Sequence, residues 1–130
     1  MDRQQEFVIG GFIPGSHGFD ALIVGVQEGD GLVYVSKVKN GFVPRIRSEI
    51  FPLLKKRVTK ECPFSNLPEA KSGRWGDALT AEKMKECRWV SPSLVCQVKF
   101  VEWTDGGKLR HSFFVAMRED KEAASVARET

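Results

Sequence analysis

Residues 109–121, Leu-Arg-His-Ser-Phe-Phe-Val-Ala-Met-Arg-Glu-Asp-Lys, set an arginine before an apolar run and three charged residues of use just after it. Arg110 precedes the run, and Arg118, Asp120 and Lys121 follow its last apolar residue, Met117. Arginine presents a planar fork of donors that matches phosphate oxygens, while lysine supplies a mobile point charge. Asp120 stands where it can orient the guanidinium or pair with Lys121. The chemistry these four residues offer is the binding of a phosphate anion. The plain alternative is a charged strand exit, whose surface ion pairs are worth under ~1 kcal/mol each.

Nucleophilic and metal chemistry find no comparable constellation. His17 and His111 lie far apart, and neither a Walker A sequence nor G-x-S-x-G occurs. Cys62, Cys87 and Cys96 are an odd number with no C-x-x-C pair, so they read as buried reduced thiols rather than zinc ligands. No catalytic residue and no metal site is expected in this chain.

The 130 residues fit one domain with a core of its own. No apolar run approaches the ~20 residues of a membrane span, and the charged N-terminus (Asp2, Arg3, Glu6) lacks a signal peptide's apolar centre, so a cytoplasmic setting is expected. Net charge is only +3, but it is unevenly placed. Residues 37–60 hold eight basic side chains against one acid, Glu49, whereas the first thirty residues lean acidic. A one-sided basic field suits a polyanion such as nucleic acid, and a solvated helix face is the competing explanation.

The elements that must position these charges follow from periodicity. Residues 6–13 and 19–27 read as strands on either side of Pro14-Gly15-Ser16-His17-Gly18, and residues 32–38 as a third strand after Gly29-Asp30-Gly31. Residues 43–59 carry apolar side chains at helical spacing, with Pro52 expected to kink or divide the helix. Residues 61–92 read as a long irregular connection. It holds a short helix capped by Thr80, and Trp75 and Trp89 are expected to pin it to the barrel. Residues 94–104 and 108–117 read as the last two strands, joined by Asp105-Gly106-Gly107, and residues 122–130 as a short tail with a frayed helix. Three strands, one intervening helix and two strands give an all-β class and the order of an OB-fold, a five-stranded Greek-key barrel. An SH3-like barrel has no place for a helix of this length.

Four blocks in this order resemble the C-terminal OB domain of bacterial ATP-dependent DNA ligases, the ligase D group above all. Glu6-Phe7-Val8-Ile9-Gly10-Gly11-Phe12 resembles the family's opening E-F-V-I-G-G-Y strand, and Lys37-Val38 with Gly41-Phe42 its K-V-G-x-G-F. Arg88-Trp89-Val90, leading on to Glu102-Trp103-Thr104, resembles R-W-V and V-x-F-x-E-W-T. Arg110 through Arg118-x-Asp120-Lys121 resembles the closing motif R-x-x-x-F-x-G-x-R-x-D-K, with Ala116 in place of the usual glycine.

The resemblance implies a domain over residues 1–121 that follows a nucleotidyltransferase domain of the same polypeptide, with Met1-Asp2 at the boundary. The adenylated lysine of K-x-D-G is absent from this chain, which is therefore expected to be inactive alone. ATP and Mg2+ would belong to the parent enzyme and none to this domain by itself. When the domain closes over ATP, Arg118 and Lys121 would contact the departing β- and γ-phosphates, with Arg110 and Asp120 in support. When it swings away, Ser16, His17, Lys37 and Lys39 would contact the backbone of nicked duplex DNA. A monomer near the bacterial nucleoid is the expected setting. The rival is a stand-alone OB module that stacks single-stranded nucleic acid on Phe12, Tyr34 and Trp103. A protein-interaction barrel is a third possibility.

Overall fold

In the computed structural model, which describes residues 2–70 and 78–129, the apolar segments form long antiparallel strands. β1 (Arg3–Gly15), β2 (Gly18–Glu28) and β3 (Gly31–Val38) make a meander. There follow α1 (Pro44–Lys55), the two-residue β4 (Val58–Thr59), the single-turn α2 (Ala81–Met84) and β5 (Arg88–Phe100). A small hairpin of β6 (Glu102–Trp103) and β7 (Leu109–Arg110) precedes β8 (Phe113–Met117). The main sheet runs β3-β2-β1-β5-β4, with β8 also on β5. At its free side the Phe114 N–H donates to the Asn40 carbonyl, just past β3, at 2.8 Å. The Ser36 and Ser112 hydroxyls share a further bond of 2.8 Å. These contacts bring β8 onto β3 and close the barrel, so the last strand, where the phosphate-type motif ends, is fixed by both neighbours.

The interior is filled by Phe7, Ile9, Phe19, Leu22, Val24, Val38, Val98 and Phe100, all buried, and α1 plugs one end with Ile50 and Leu54. α1 runs on to Lys55 and is not divided by Pro52. The N–H it lacks would have reached the Ser48 carbonyl one turn back, and Ser48 lies on the exposed side where water can take its place. The helix is shorter than its periodicity implies: Val43 and Val58, both 52% exposed, stand outside the buried stripe.

β5 begins six residues earlier than expected and runs through Pro92. Between the pairs Ile9↔Leu94 and Gly11↔Trp89, β5 bulges away from β1, so a proline there forfeits no ladder bond. The last strand is split where His111 adopts φ +55°, a left-handed conformation that turns the chain from the hairpin into β8.

The long connection is less irregular than its composition suggests. The Asn66 side chain pairs with both backbone groups of Tyr34, at 2.8 and 3.0 Å, as a strand would. Ser65 N–H reaches the Leu32 carbonyl at 2.8 Å. Phe64 thereby enters the core between Tyr34 and Trp89, over the bare backbones of Gly10 and Gly25. Thr80 caps α2 as expected; Trp75 lies outside the described residues. The tail holds one 3-10 turn (Ala123–Ser125) rather than a frayed helix, and it docks: the Gln27 N–H meets the Val126 carbonyl at 2.7 Å and Val126 is buried.

All three cysteines are free thiols. Burial pushes Cys96 up to about 12 and Cys87 up to about 11. Since the thiolate is the reactive form, Cys96 in the native protein at pH 8 is expected to resist a disulfide-exchange reagent until the chain unfolds. Parallel thiol counts with and without denaturant check this; full native reactivity would contradict it.

Candidate phosphate and nucleic-acid interface

The charged end of the closing motif, Arg118 to Lys121, begins where β8 ends. The Arg118 N–H donates to the Val95 carbonyl at 2.8 Å, which extends the ladder by one step and aims the side chain across the sheet. Its NH1 donates to Glu6 Oε2 at 2.7 Å and to Gln97 Oε1 at 3.1 Å. Glu6 on β1 and Gln97 on β5 are direct register partners, and Gln97 is itself tied to Gln4. Nε and NH2 of Arg118 meet the two oxygens of Asp120 at 3.1 and 3.0 Å.

The Arg118 hydrogen bond holds the Asp120 carboxyl below the usual carboxylate range, and Asp120 in turn raises the guanidinium. A carboxylate with a lowered folded pKa contributes its share of stability above the unfolded value and loses it only as pH falls through the folded one. The pair is therefore intact at neutral pH. The chain leaves Met117 as a turn and not a helix, so Arg118 pairs with Asp120 while Lys121 stands exposed beside it. Arg110 is placed apart, on the β6–β7 hairpin, with Nε 3.7 Å from Glu102. Ala116, the register partner of Gln97, is exposed, so its methyl crowds no core contact.

A second constellation lies between β3 and the β6–β7 hairpin. A groove of about 420 Å³ is lined by Tyr34, Ser36, Lys37, Lys39, Lys108 and His111 among others, with Glu69 as the acid among the described residues. Lys108 Nζ hangs 5.9 Å over the Tyr34 ring and 4.0 Å from Glu69. Lys37 and Lys39 are thus brought together, and joined by Lys108, which sequence reasoning missed. Its only local sign was the turn at residues 105–107, and its position over β3 depends on barrel closure.

Ser16 and His17 sit elsewhere, at the exposed β1–β2 tip. His17 borders a different groove of about 460 Å³ with Pro44, Arg47 and Phe51. The basic run at residues 37–60 is not one face either. Arg47 is committed to the Phe19 and Phe42 carbonyls, and Arg57 to the Leu53 carbonyl and Ser93. Phe12 and Tyr34 are each 4% exposed, and Trp103 packs on Phe7 and Phe100 under Arg128. Their faces are therefore not open stacking platforms. Among the described residues no His, Cys, Asp or Glu group could hold a metal ion, and no helix is long and apolar enough to cross a membrane.

An OB barrel that ends on an Arg-x-Asp-Lys turn has a match among known families. The model of the ATP dependent DNA ligase C terminal region covers residues 15–121. The chain belongs to this family. It is 33% identical over 129 residues to the multifunctional non-homologous end joining DNA repair protein LigD of Mycobacterium tuberculosis, covering 96% of this chain and 16% of that protein. The LigD of Pseudomonas aeruginosa is 30% identical over 132 residues, covering 97% of this chain and 14% of that protein.

The crystal structure of the ligase domain from M. tuberculosis LigD superposes with a TM-score of 0.83 at 32% identity, covering 98% of this chain and 39% of that one. A mycobacterial DNA ligase D complexed with ATP and MES gives 0.80 at 31% identity, covering 98% of this chain and 38% of that one. The chain thus spans about a sixth of the curated relatives. It has the OB fold of the C-terminal domain of ATP-dependent DNA ligases and is similar to that part of the LigD proteins. Every candidate residue named above from Ser16 to Lys121 falls inside the matched region, whereas Glu6, which holds Arg118, and Gln4, which is tied to Gln97, precede it.

Proposed function

We propose that this ligase domain serves its parent enzyme in two postures, one on nicked duplex DNA and one closed over ATP. The observation that carries the proposal is the separation of its cations into two constellations on different parts of the barrel. The Lys37–Lys39–Lys108 groove lies between β3 and the β6–β7 hairpin. The Arg118 cluster lies on the β1–β5–β8 side. A groove lined by three lysines suits the sequence-independent phosphate path of a duplex. A guanidinium fixed by a strand and a turn suits a single polyphosphate whose charge shifts during transfer.

In the closed posture Arg118 and Lys121 face the β- and γ-phosphates that leave as pyrophosphate. Before closure Asp120 holds the guanidinium fork, and Arg110 adds charge from the β6–β7 hairpin, apart from that fork. The donor set fits polyphosphate and not a metal, so Mg2+ and the adenylated lysine belong to the nucleotidyltransferase domain of the same polypeptide. The parent enzyme thereby seals 5′-phosphate/3′-hydroxyl nicks as a monomer in the bacterial cytoplasm, close to the nucleoid. The enclosed Phe12, Tyr34 and Trp103 rings count against the stand-alone single-strand module.

Lys37→Ala, Lys39→Ala and Lys108→Ala are each expected to weaken duplex binding several-fold. Each should also lower the slope of log K against log salt by about 1, without regard to base sequence. Binding isotherms at a series of salt concentrations read this directly. An unchanged slope in all three would rule the groove out.

A further inference from the structure

Arg118 is gripped on two edges by groups of different standing. On one edge NH1 is held by Glu6 and Gln97, two half-buried side chains that face each other across paired strands. On the other edge Nε and NH2 point at Asp120, which sits on an exposed turn with its side chain 67% exposed. That second edge is the one that matters for recognition. Two parallel N–H donors there match two oxygens of a carboxylate or, equally, of a phosphate. One fork cannot serve both at once.

We propose that Asp120 is a stand-in for phosphate on the Arg118 fork, displaced when a polyphosphate arrives, and that Glu6 is the positioning residue that keeps the guanidinium in place through the exchange. This rests on reading Arg118 as a phosphate contact and deepens that reading by giving the two carboxylates opposite roles. Asp120 can leave readily because it is a solvated group on a turn, where an ion pair is weak. Glu6 cannot, because β1 and its register partner Gln97 fix it. A long side chain that is already held at NH1 loses less rotamer freedom when its fork takes a new ligand. The domain without polyphosphate thus keeps its arginine aimed and covered, and Lys121 next door is left exposed for the incoming charge.

The test is a titration of the 130-residue chain with pyrophosphate, followed by calorimetry and by the Arg118 Nε–H resonance. Asp120→Asn is expected to bind pyrophosphate more tightly, by roughly threefold to tenfold, the scale of a weak ion pair. Glu119→Gln removes the same charge from the same turn without touching the fork, and its gain should be clearly smaller. Glu6→Ala is expected to weaken binding several-fold even though it removes a negative charge, opposite to any general electrostatic effect. Glu6→Gln, which keeps a carbonyl acceptor, should fall between Glu6→Ala and wild type and carries the same test if Glu6→Ala fails to fold.

A loss of affinity in Asp120→Asn, or a gain no larger than that of Glu119→Gln, would overturn the stand-in. Binding at or above the wild-type level in both Glu6 variants would overturn the positioning role. The phosphate reading of Arg118 fails separately: its sign is binding that survives Arg118→Ala, or no binding in wild type and Asp120→Asn alike.

Discussion

Arg118→Ala in the full-length ligase is expected to slow self-adenylation by about 100-fold or more, the cost of removing a preorganised charge that meets a developing anion. Sealing of nicks that are already adenylated should fall far less. The asymmetry follows from where the side chain sits. Arg118 is braced by Glu6, Gln97 and Asp120 on the β1–β5–β8 side, away from the lysine groove assigned to DNA. In the proposed two-posture scheme the domain closes on ATP in the first step, with the fork facing the leaving phosphates. A different surface is in use in the later steps of that scheme. Arg118→Lys keeps the charge but lacks the fork, so it should recover only part of the lost rate. Radiolabel transfer from ATP to the enzyme, set beside single-turnover sealing of a pre-adenylated nick, measures both. Equal losses in the two assays would sink the assigned role.

The largest stability effect is expected at Phe64, where replacement by alanine should cost about 3–5 kcal/mol, the range for a fully packed aromatic. The ring is 5% exposed and contacts Tyr34 and Trp89 at edge-to-face angles. It seats where two glycines leave room. A Cβ on Gly10 would meet Phe64 Cζ at 2.5 Å, and one on Gly25 would meet Cε1 at 2.8 Å and the Val33 carbonyl oxygen at 2.3 Å. Gly10→Ala should therefore destabilise by overpacking in the native protein. Much of that penalty should disappear in the Gly10→Ala, Phe64→Ala double variant, because the obstructing ring is gone. Denaturant melts of the four proteins close the cycle. Additive costs would show that Phe64 and Gly10 do not share the space the structure gives them.

The meander was legible because its apolar runs are bounded by dense turn signals, and α1 because its apolar residues recur at helical spacing. The same local logic paired Asp120 with Arg118, two residues apart. What escaped depends on closure of the barrel. Glu6 and Gln97 reach Arg118 across 112 and 21 residues, and neither carries a local mark of that use. Lys108 joins Lys37 and Lys39 only because β7 folds back over β3. β5 reaches back through Pro92 to Arg88, inside the stretch read as connection, because the bulge that admits the proline is set by β1, not by its neighbours. The connection was read as loop because its strand-like pairing is made by the Asn66 side chain. Arg47 and Arg57 were counted with the basic field, although backbone carbonyls of β2, of Phe42 and of α1 already bind them.

Fluorescence anisotropy of the purified chain against nicked duplex, intact duplex and single-stranded DNA, at two salt concentrations, tests the DNA posture most directly. Binding should favour duplex over single strands, with the nicked form bound at least as well as the intact one. It should weaken steeply with salt as lysine–phosphate contacts are screened. A clear preference for single strands, or duplex binding indifferent to salt, would contradict the lysine groove as the face this ligase domain lays on DNA.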